Sequence, residues 1–189
     1  MRKHLWMVLC APLTLLFCAA PITTIKAPRR SLDGYANMNI VVPQNDVVGQ
    51  IDDAIVYSIV EKATKGIADL GRFQKIVVPE NVDLADKKYA GIFVSLQDVQ
   101  GEKEKTTVLK TILVKYDKGN AFLRFLFGFM AGSGKVTLEL TVSDMSTGEE
   151  IIKAETTAQI AGSFSTEQDV VVPLSLAIVK FVKEYFVKI

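Results

Sequence analysis

Val136-Thr137-Leu138-Glu139-Leu140-Thr141-Val142-Ser143 alternates without a break between apolar and polar side chains, and Asp144-Met145-Ser146-Thr147-Gly148 follows it. Successive side chains of a strand point to opposite faces of a sheet, so this alternation predicts a strand with one buried and one wet face. The Asp-Met-Ser-Thr-Gly run has the chemistry of a turn. Beyond it Ile152, Ala154, Thr156, Ala158 and Ile160 alternate with Lys153, Glu155, Thr157 and Gln159. The two runs predict the arms of one long antiparallel hairpin, around which the domain is expected to assemble.

Two segments have helical spacing. From Ile51 to Leu70 the apolar residues Val56, Val60, Ala63, Ile67 and Leu70 recur at intervals of three and four, and Ile51, Ala54, Ile55 and Ile59 widen the stripe. Gly71 is a natural stop. At the other end Pro173 suits a helix start, and Leu174, Ala177, Ile178, Phe181, Val182 and Tyr185 line one face. Shorter β-rich runs lie at Asn39 to Val42, Phe73 to Val78 and Ile92 to Gln97, with a polar connection from Asn81 to Lys88. Gln100 to Lys105 reads as the solvated tip of a hairpin whose return strand runs from Thr107 to Tyr116. The expected fold class is α+β: an antiparallel or mixed sheet with two main helices packed on one face. Residues 35–189 form one domain in this reading, and no internal repeat interrupts it.

The chain has 189 residues, 49% of them hydrophobic, with 22 Lys+Arg against 21 Asp+Glu. That length buries a sizeable core. A net charge of +1 leaves no cation excess to neutralise phosphates, so no nucleic-acid partner is expected.

Met1-Arg2-Lys3-His4 is followed by a stretch from Leu5 to Ala20 without a charged residue. A short basic region ahead of an apolar run is the layout of a secretory signal, assigned here to residues 1–20. The run is short for a membrane span, which needs roughly 20 apolar residues, and Pro12 interrupts it. Cleavage after Ala20 or Ala27 would place Pro21 or Pro28 just beyond the cut, and cleavage after Ala19 would place Phe17 in a small-residue slot. Leu15-Leu16-Phe17-Cys18 resembles a bacterial lipobox in its leucines and departs from it at Phe17, which makes Cys18 the candidate lipid-attachment residue. Ordinary secretion and an uncleaved anchor are the alternatives. Residues 21–34 carry Pro, Thr, Lys, Arg and Ser and read as a flexible linker.

The only histidine is His4, and the only cysteines are Cys10 and Cys18. In a helical leader these two thiols stand about 12 Å apart at 1.5 Å per residue, beyond the roughly 7 Å between α-carbons that a disulfide spans. The chain beyond the leader therefore lacks serine–histidine triads, thiol nucleophiles and His or Cys metal ligands. No cofactor is expected.

Gly132-Ser133-Gly134-Lys135-Val136-Thr137 has a superficial likeness to a phosphate-binding loop. Phe129 stands where the first glycine is required, Val136 where the magnesium-binding hydroxyl is required, and a strand follows instead of a helix. No nucleotide is expected, and the glycines are read as a tight backbone turn into the Val136 strand. The carboxylate pairs Asp52-Asp53 and Glu149-Glu150 fall at a helix start and a hairpin turn, where solvated acids are ordinary.

Ala121 to Ala131, Ala-Phe-Leu-Arg-Phe-Leu-Phe-Gly-Phe-Met-Ala, resists that kind of account. Phe122, Phe125, Phe127 and Phe129 surround Arg124, the segment's single charge, in a connection where polar residues are expected. The segment is expected to fold back as a short helix or turn and complete the core. The alternative is an exposed apolar patch that enters a bilayer interface or docks a partner through Phe122, Arg124, Phe125, Phe127 and Phe129.

Together, Leu123-Arg124 through Phe129, the Gly132-Ser133-Gly134-Lys135-Val136 turn and the Asp144-Met145-Ser146-Thr147-Gly148-Glu149 hairpin resemble the domain-of-unknown-function family 4410. The resemblance covers roughly Tyr35 to Ile189. It implies an exported bacterial envelope protein or lipoprotein and brings no catalytic residues with it. The expectation from the sequence is a non-enzymatic periplasmic or outer-membrane-associated domain, tethered through a lipid on Cys18, that binds an envelope protein or self-associates. A binder of an apolar small molecule or lipid, with the phenylalanines lining a pocket between helix and sheet, is the second reading. A carboxylate-dependent cell-wall enzyme is the third.

Overall fold

The computed structural model describes residues 19–29, 31–47, 50–79, 87–127, 132–160 and 166–187. The central hairpin is β7 (Gly134–Asp144) and β8 (Glu150–Ile160), with Leu138 opposite Thr156 and Leu140 opposite Ala154. Val136, Leu138, Leu140, Val142, Ile152 and Ala154 are buried on one face, as the alternation predicts. On the other face Lys153 meets Glu139 at 2.7 Å. The glutamate's hydrogen bond holds the Lys153 ammonium above its ordinary pKa.

β6 (Thr106–Asp117) lies antiparallel to β7 and continues the sheet. From there the pairing turns parallel. β2 (Asn37–Ile40) runs parallel to β6, β4 (Lys75–Val77) to β2, and β5 (Phe93–Val94) to β4, while β3 (Gln44–Asn45) also pairs with β6. β1 (Ile22–Lys26) closes the opposite edge, antiparallel to β8. The order is β1-β8-β7-β6-β2-β4-β5, a mixed eight-stranded sheet within the expected α+β class.

α1 (Asp53–Asp69) and α3 (Val171–Phe186) are the two predicted helices. Asp52 caps α1 by accepting the Ala54 N–H at 2.9 Å. Val60, Ala63 and Ile67 of α1 and Ile178 of α3 meet Ile40, Leu109 and Thr111 of the sheet in one seam. Both helices therefore cover the same face. Gly66 sets their approach: a Cβ there would come within 2.6 Å of Val179 Cγ2.

Two expectations are corrected. The linker assigned to residues 21–34 contains β1, because Ile22 is half-buried against the core and Thr24 Oγ1 shares a 2.8 Å hydrogen bond with Tyr185 Oη of α3. Those contacts fix a segment whose composition alone reads as a tether. The charged segment before β6 is not a hairpin tip either. Leu96–Lys105 forms 3-10 turns that carry the chain from β5, on the edge, past β4 and β2 to β6. Lys75 and Asn37 anchor this crossing through Glu102, at 2.6 and 3.0 Å. The assigned signal through Cys18 lies outside the described residues.

Candidate functional site

β6 and β7 are joined at one end of the sheet by a loop containing α2 (Ala121–Phe127). Asn120 accepts the backbone N–H groups of Phe122 and Leu123 through its side-chain oxygen, at 3.0 and 3.2 Å, and so starts the helix. Its own N–H donates to Gly132 O at 2.7 Å. Gly119 and Gly132 both have positive φ, at 66° and 67°. A Cβ on Gly132 would lie 2.6 Å from Asn120 O, and one on Gly119 would collide with Gly132 O and Gly134 N. The Gly-Ser-Gly segment thus pinches the base of the loop and leads into a strand, as its turn reading predicts.

Residues 121–127 of the aromatic segment form a short helix, and its described side chains do not complete the core. Phe122 is 65% exposed, Phe125 69% and Leu126 51%, whereas Phe181 in α3 is at 0%. Spacings of three and four place Phe122, Phe125 and Leu126 on one helical face. The seven-residue helix is rooted at the pinched loop base, at the end of the sheet, with these side chains in solvent. Arg124 and Phe127 belong to α2, but their side chains, like the whole of Phe129, lie outside the described residues. Sequence reasoning found these residues and held exposure as the alternative to a core role, and Phe122 and Phe125 take that alternative.

Phe122 and Phe125 are not enclosed, at 65% and 69% exposure. The seam beneath the helices, around Ile40, Val60, Leu109 and Ile178, has no room for a water molecule. A depression of about 360 Å³ lies at the same sheet end as α2, bounded by Ala19, Ala20, Lys135, Thr157 and Pro173, and no α2 residue contributes to it.

Three of these four paired carboxylates, Asp52, Asp53 and Glu150, have structural partners. Asp52 is the α1 cap, and Asp53 accepts from Asn45 Nδ2 at 2.6 Å. Glu150 pairs with Lys26 at 3.5 Å. The most perturbed acid is instead Asp144, which is 5% exposed. Burial alone would push its carboxyl pKa up. Hydrogen bonds from Ser146 Oγ at 2.6 Å, Tyr35 Oη at 2.6 Å and the N–H groups of Thr147 and Ser146 outweigh that and hold it well below the usual carboxylate range. These contacts tie the β7–β8 turn together and join it to Tyr35, ahead of β2. Among the described residues no group of three or more His, Cys, Asp or Glu could hold a metal ion, and no helix is long and apolar enough to cross a membrane.

The fold is similar to that of the PelC dodecamer from Paraburkholderia phytofirmans: 14% identity, TM-score 0.53, over 90% of this chain and 99% of that one. A point variant of the same PelC matches at 15% identity and TM-score 0.53, with the same coverage. The lipoprotein GNA1162 from Neisseria meningitidis is 15% identical over 79% of this chain and 99% of its own, at TM-score 0.43. No curated protein matches the sequence. Residues 82–163, which span β5 to β8 and include α2, match the family model of the domain of unknown function DUF4410, the family that the aromatic segment, the Gly-x-Gly turn and the Asp-x-x-Thr-Gly hairpin resemble.

Proposed function

We propose that this protein is an exported envelope domain that works by association and carries out no bond-making chemistry. The observation that carries the reading is the uncovered apolar face of α2, where Phe122 and Phe125 are each about two-thirds exposed. Soluble domains seldom leave adjacent aromatic side chains in water without a use for them. The leader layout supports export to the periplasm, and the lipobox-like Leu15-Leu16-Phe17-Cys18 supports tethering to the outer membrane through a lipid on Cys18. The absence of histidine and cysteine after residue 18 supports a non-enzymatic role, because the commonest general base, imidazole, and the thiol nucleophile are missing. The fold's likeness to a PelC that is a dodecamer supports self-association as part of that role.

A photo-crosslinking residue placed at position 125 in the exported chain tests the reading in cells. Adducts are expected there and not at Glu149, on the exposed turn at the far end of the hairpin. Absence of adducts at 125, or equal adducts at both positions, would overturn it.

A further inference from the structure

The register of the sheet places the start of the described chain and α2 at the same end. β1 is antiparallel to β8, with Ile22 opposite Thr156, so the residues before Ile22 run alongside the last residues of β8. Thr156 Oγ1 donates to Pro21 O at 2.9 Å and Ala20 N to Pro173 O at 3.1 Å, which fixes that course. Gln159 of β8 is opposite Lys135 of β7, and Lys135 is opposite Asp117 at the end of β6. Ala19 and Lys135 share a single depression. The α2 loop springs from this same edge, between Asp117 and Gly134. Residues 1–18, with their uncharged run from Leu5, therefore join the domain where Phe122, Phe125 and Leu126 are exposed. The opposite end carries the Asp144–Gly148 turn, about 30 Å away along an eleven-residue strand.

Resting on the association reading above, we propose that this end is a bilayer-docking surface. Phe122, Phe125 and Leu126 enter the interface of the same leaflet that receives the chain before Ala19, with Lys118 and Lys135 beside anionic headgroups. A membrane is the occupant that accounts for the juxtaposition. A chain attached to a bilayer by its first residues holds its α2 end against that bilayer whatever else it binds. An apolar helical face lying in the interface buries its side chains at the headgroup–acyl boundary, where Phe and Leu are favoured and cationic side chains reach phosphate. Lys115, Lys118 and Lys135 are exposed at this end and are balanced there by Asp117, by Glu167, which accepts from Tyr116 Oη at 2.6 Å, and by Asp169, so the apolar side chains and the chain's point of entry carry the assignment.

The test uses the protein as processed in cells, reconstituted into phosphatidylcholine–phosphatidylglycerol vesicles, with Trp6→Phe in the expressed chain so that no native tryptophan contributes wherever the leader is cut. Phe125→Trp, and separately Phe122→Trp, then report their surroundings, and Glu149→Trp reports the far end. With bromines placed on the acyl chains near the headgroups, emission at 125 and 122 should fall roughly twofold, because an interfacial apolar face sits about 5–10 Å deep. Emission at 149 should not change. Unquenched reporters at 122 and 125 on vesicle-bound protein would overturn the proposal. If those reporters are shielded in proportion to protein concentration and are indifferent to bromine, a second copy of the chain covers α2, and the membrane assignment falls. A protein adduct at position 125 in cells combined with no bromine quenching would leave association standing and remove only the bilayer.

Discussion

Tyr35 donates its phenolic hydroxyl to Asp144 Oδ2 at 2.6 Å, which joins the segment entering β2 to the turn between β7 and β8. The other carboxylate oxygen of Asp144 takes the N–H and Oγ of Ser146 and the N–H of Thr147. Gly148 N–H closes the turn on Asp144 O at 2.9 Å, and Met145 N–H reaches back to Thr106 O at 3.0 Å. The Asp-x-x-Thr-Gly motif is thus a junction among β2, β6 and the central hairpin. Its acid is specified because an ionised carboxylate can accept several donors at once.

Asp144→Asn should destabilise the fold by about 3 kcal/mol, since hydrogen bonds to a buried charged group contribute roughly 1.5–3 kcal/mol each and an amide retains only part of that set. Tyr35→Phe should cost less, because it removes one donor of several. Urea denaturation at neutral pH checks both, and a loss below about 1 kcal/mol for Asp144→Asn would contradict the junction.

The same carboxylate gives acid sensitivity with a definite sign. Its folded pKa is depressed below the unfolded value of about 3.9. Its contribution is therefore fully present above the unfolded value and is lost as pH falls toward and through the folded one. Wild-type stability should decline below about pH 4, and Asp144→Asn should flatten that decline. Parallel acid titrations of stability would contradict this if the two slopes were equal.

How far the fold is legible depends on where each element's partners lie. The alternation of Val136 to Ser143 and of Ile152 to Ile160 and the stripe from Val56 to Ile67 are local patterns, and they predict β7, β8 and α1 directly. β2, β4 and β5 have four, three and two residues, too few to state a period, and their parallel partners lie far off in sequence. Ile22-Thr23-Thr24-Ile25-Lys26 is hidden by its linker-like surroundings, although its Ile and Thr are strand formers. At the candidate site the aromatic residues are legible and their exposure is not. Whether Phe125 meets core or water depends on how the loop is rooted, which Gly119 and Gly132 settle through contacts across the loop's base.

That root is brittle. Gly132→Ala puts a side chain on a left-handed backbone and drives its Cβ to 2.6 Å from Asn120 O. A cost of about 1–3 kcal/mol is expected from strain of this type. Because the loop lies at the end of the sheet, hydrogen exchange should quicken around Asn120 to Leu123 while the centre of β7 stays protected. Wild-type exchange throughout the loop in Gly132→Ala would contradict this account.

Phe122→Ser with Phe125→Ser should leave stability within about 0.5 kcal/mol of wild type, as surface replacements usually do. Phe181→Ala, by contrast, removes a ring at 0% exposure and should cost about 3–5 kcal/mol. Thermal denaturation of the two variants side by side separates an interaction surface from core. Equal losses would assign the α2 rings a packing role.

Ala20 is 5% exposed, and its N–H is held by Pro173 O, so it locks β1 at the sheet edge two residues past Cys18. Ala20→Asp would bury a carboxylate with no partner designed for it, and this should release β1 for roughly 1–3 kcal/mol, a typical cost of an unpaired polar group. Two consequences follow from the topology. β8 becomes an open edge whose free N–H and C=O groups favour strand pairing between copies. The tether also lengthens, since the domain then begins at β2 instead of β1, and α2 is no longer held beside the point of attachment. Hydrogen exchange should rise in β1 and along the β8 edge while α1 and α3 keep their protection, and soluble aggregates should increase with concentration. Unchanged exchange in β1 would mean that its pairing with β8 does not depend on the Ala20 lock.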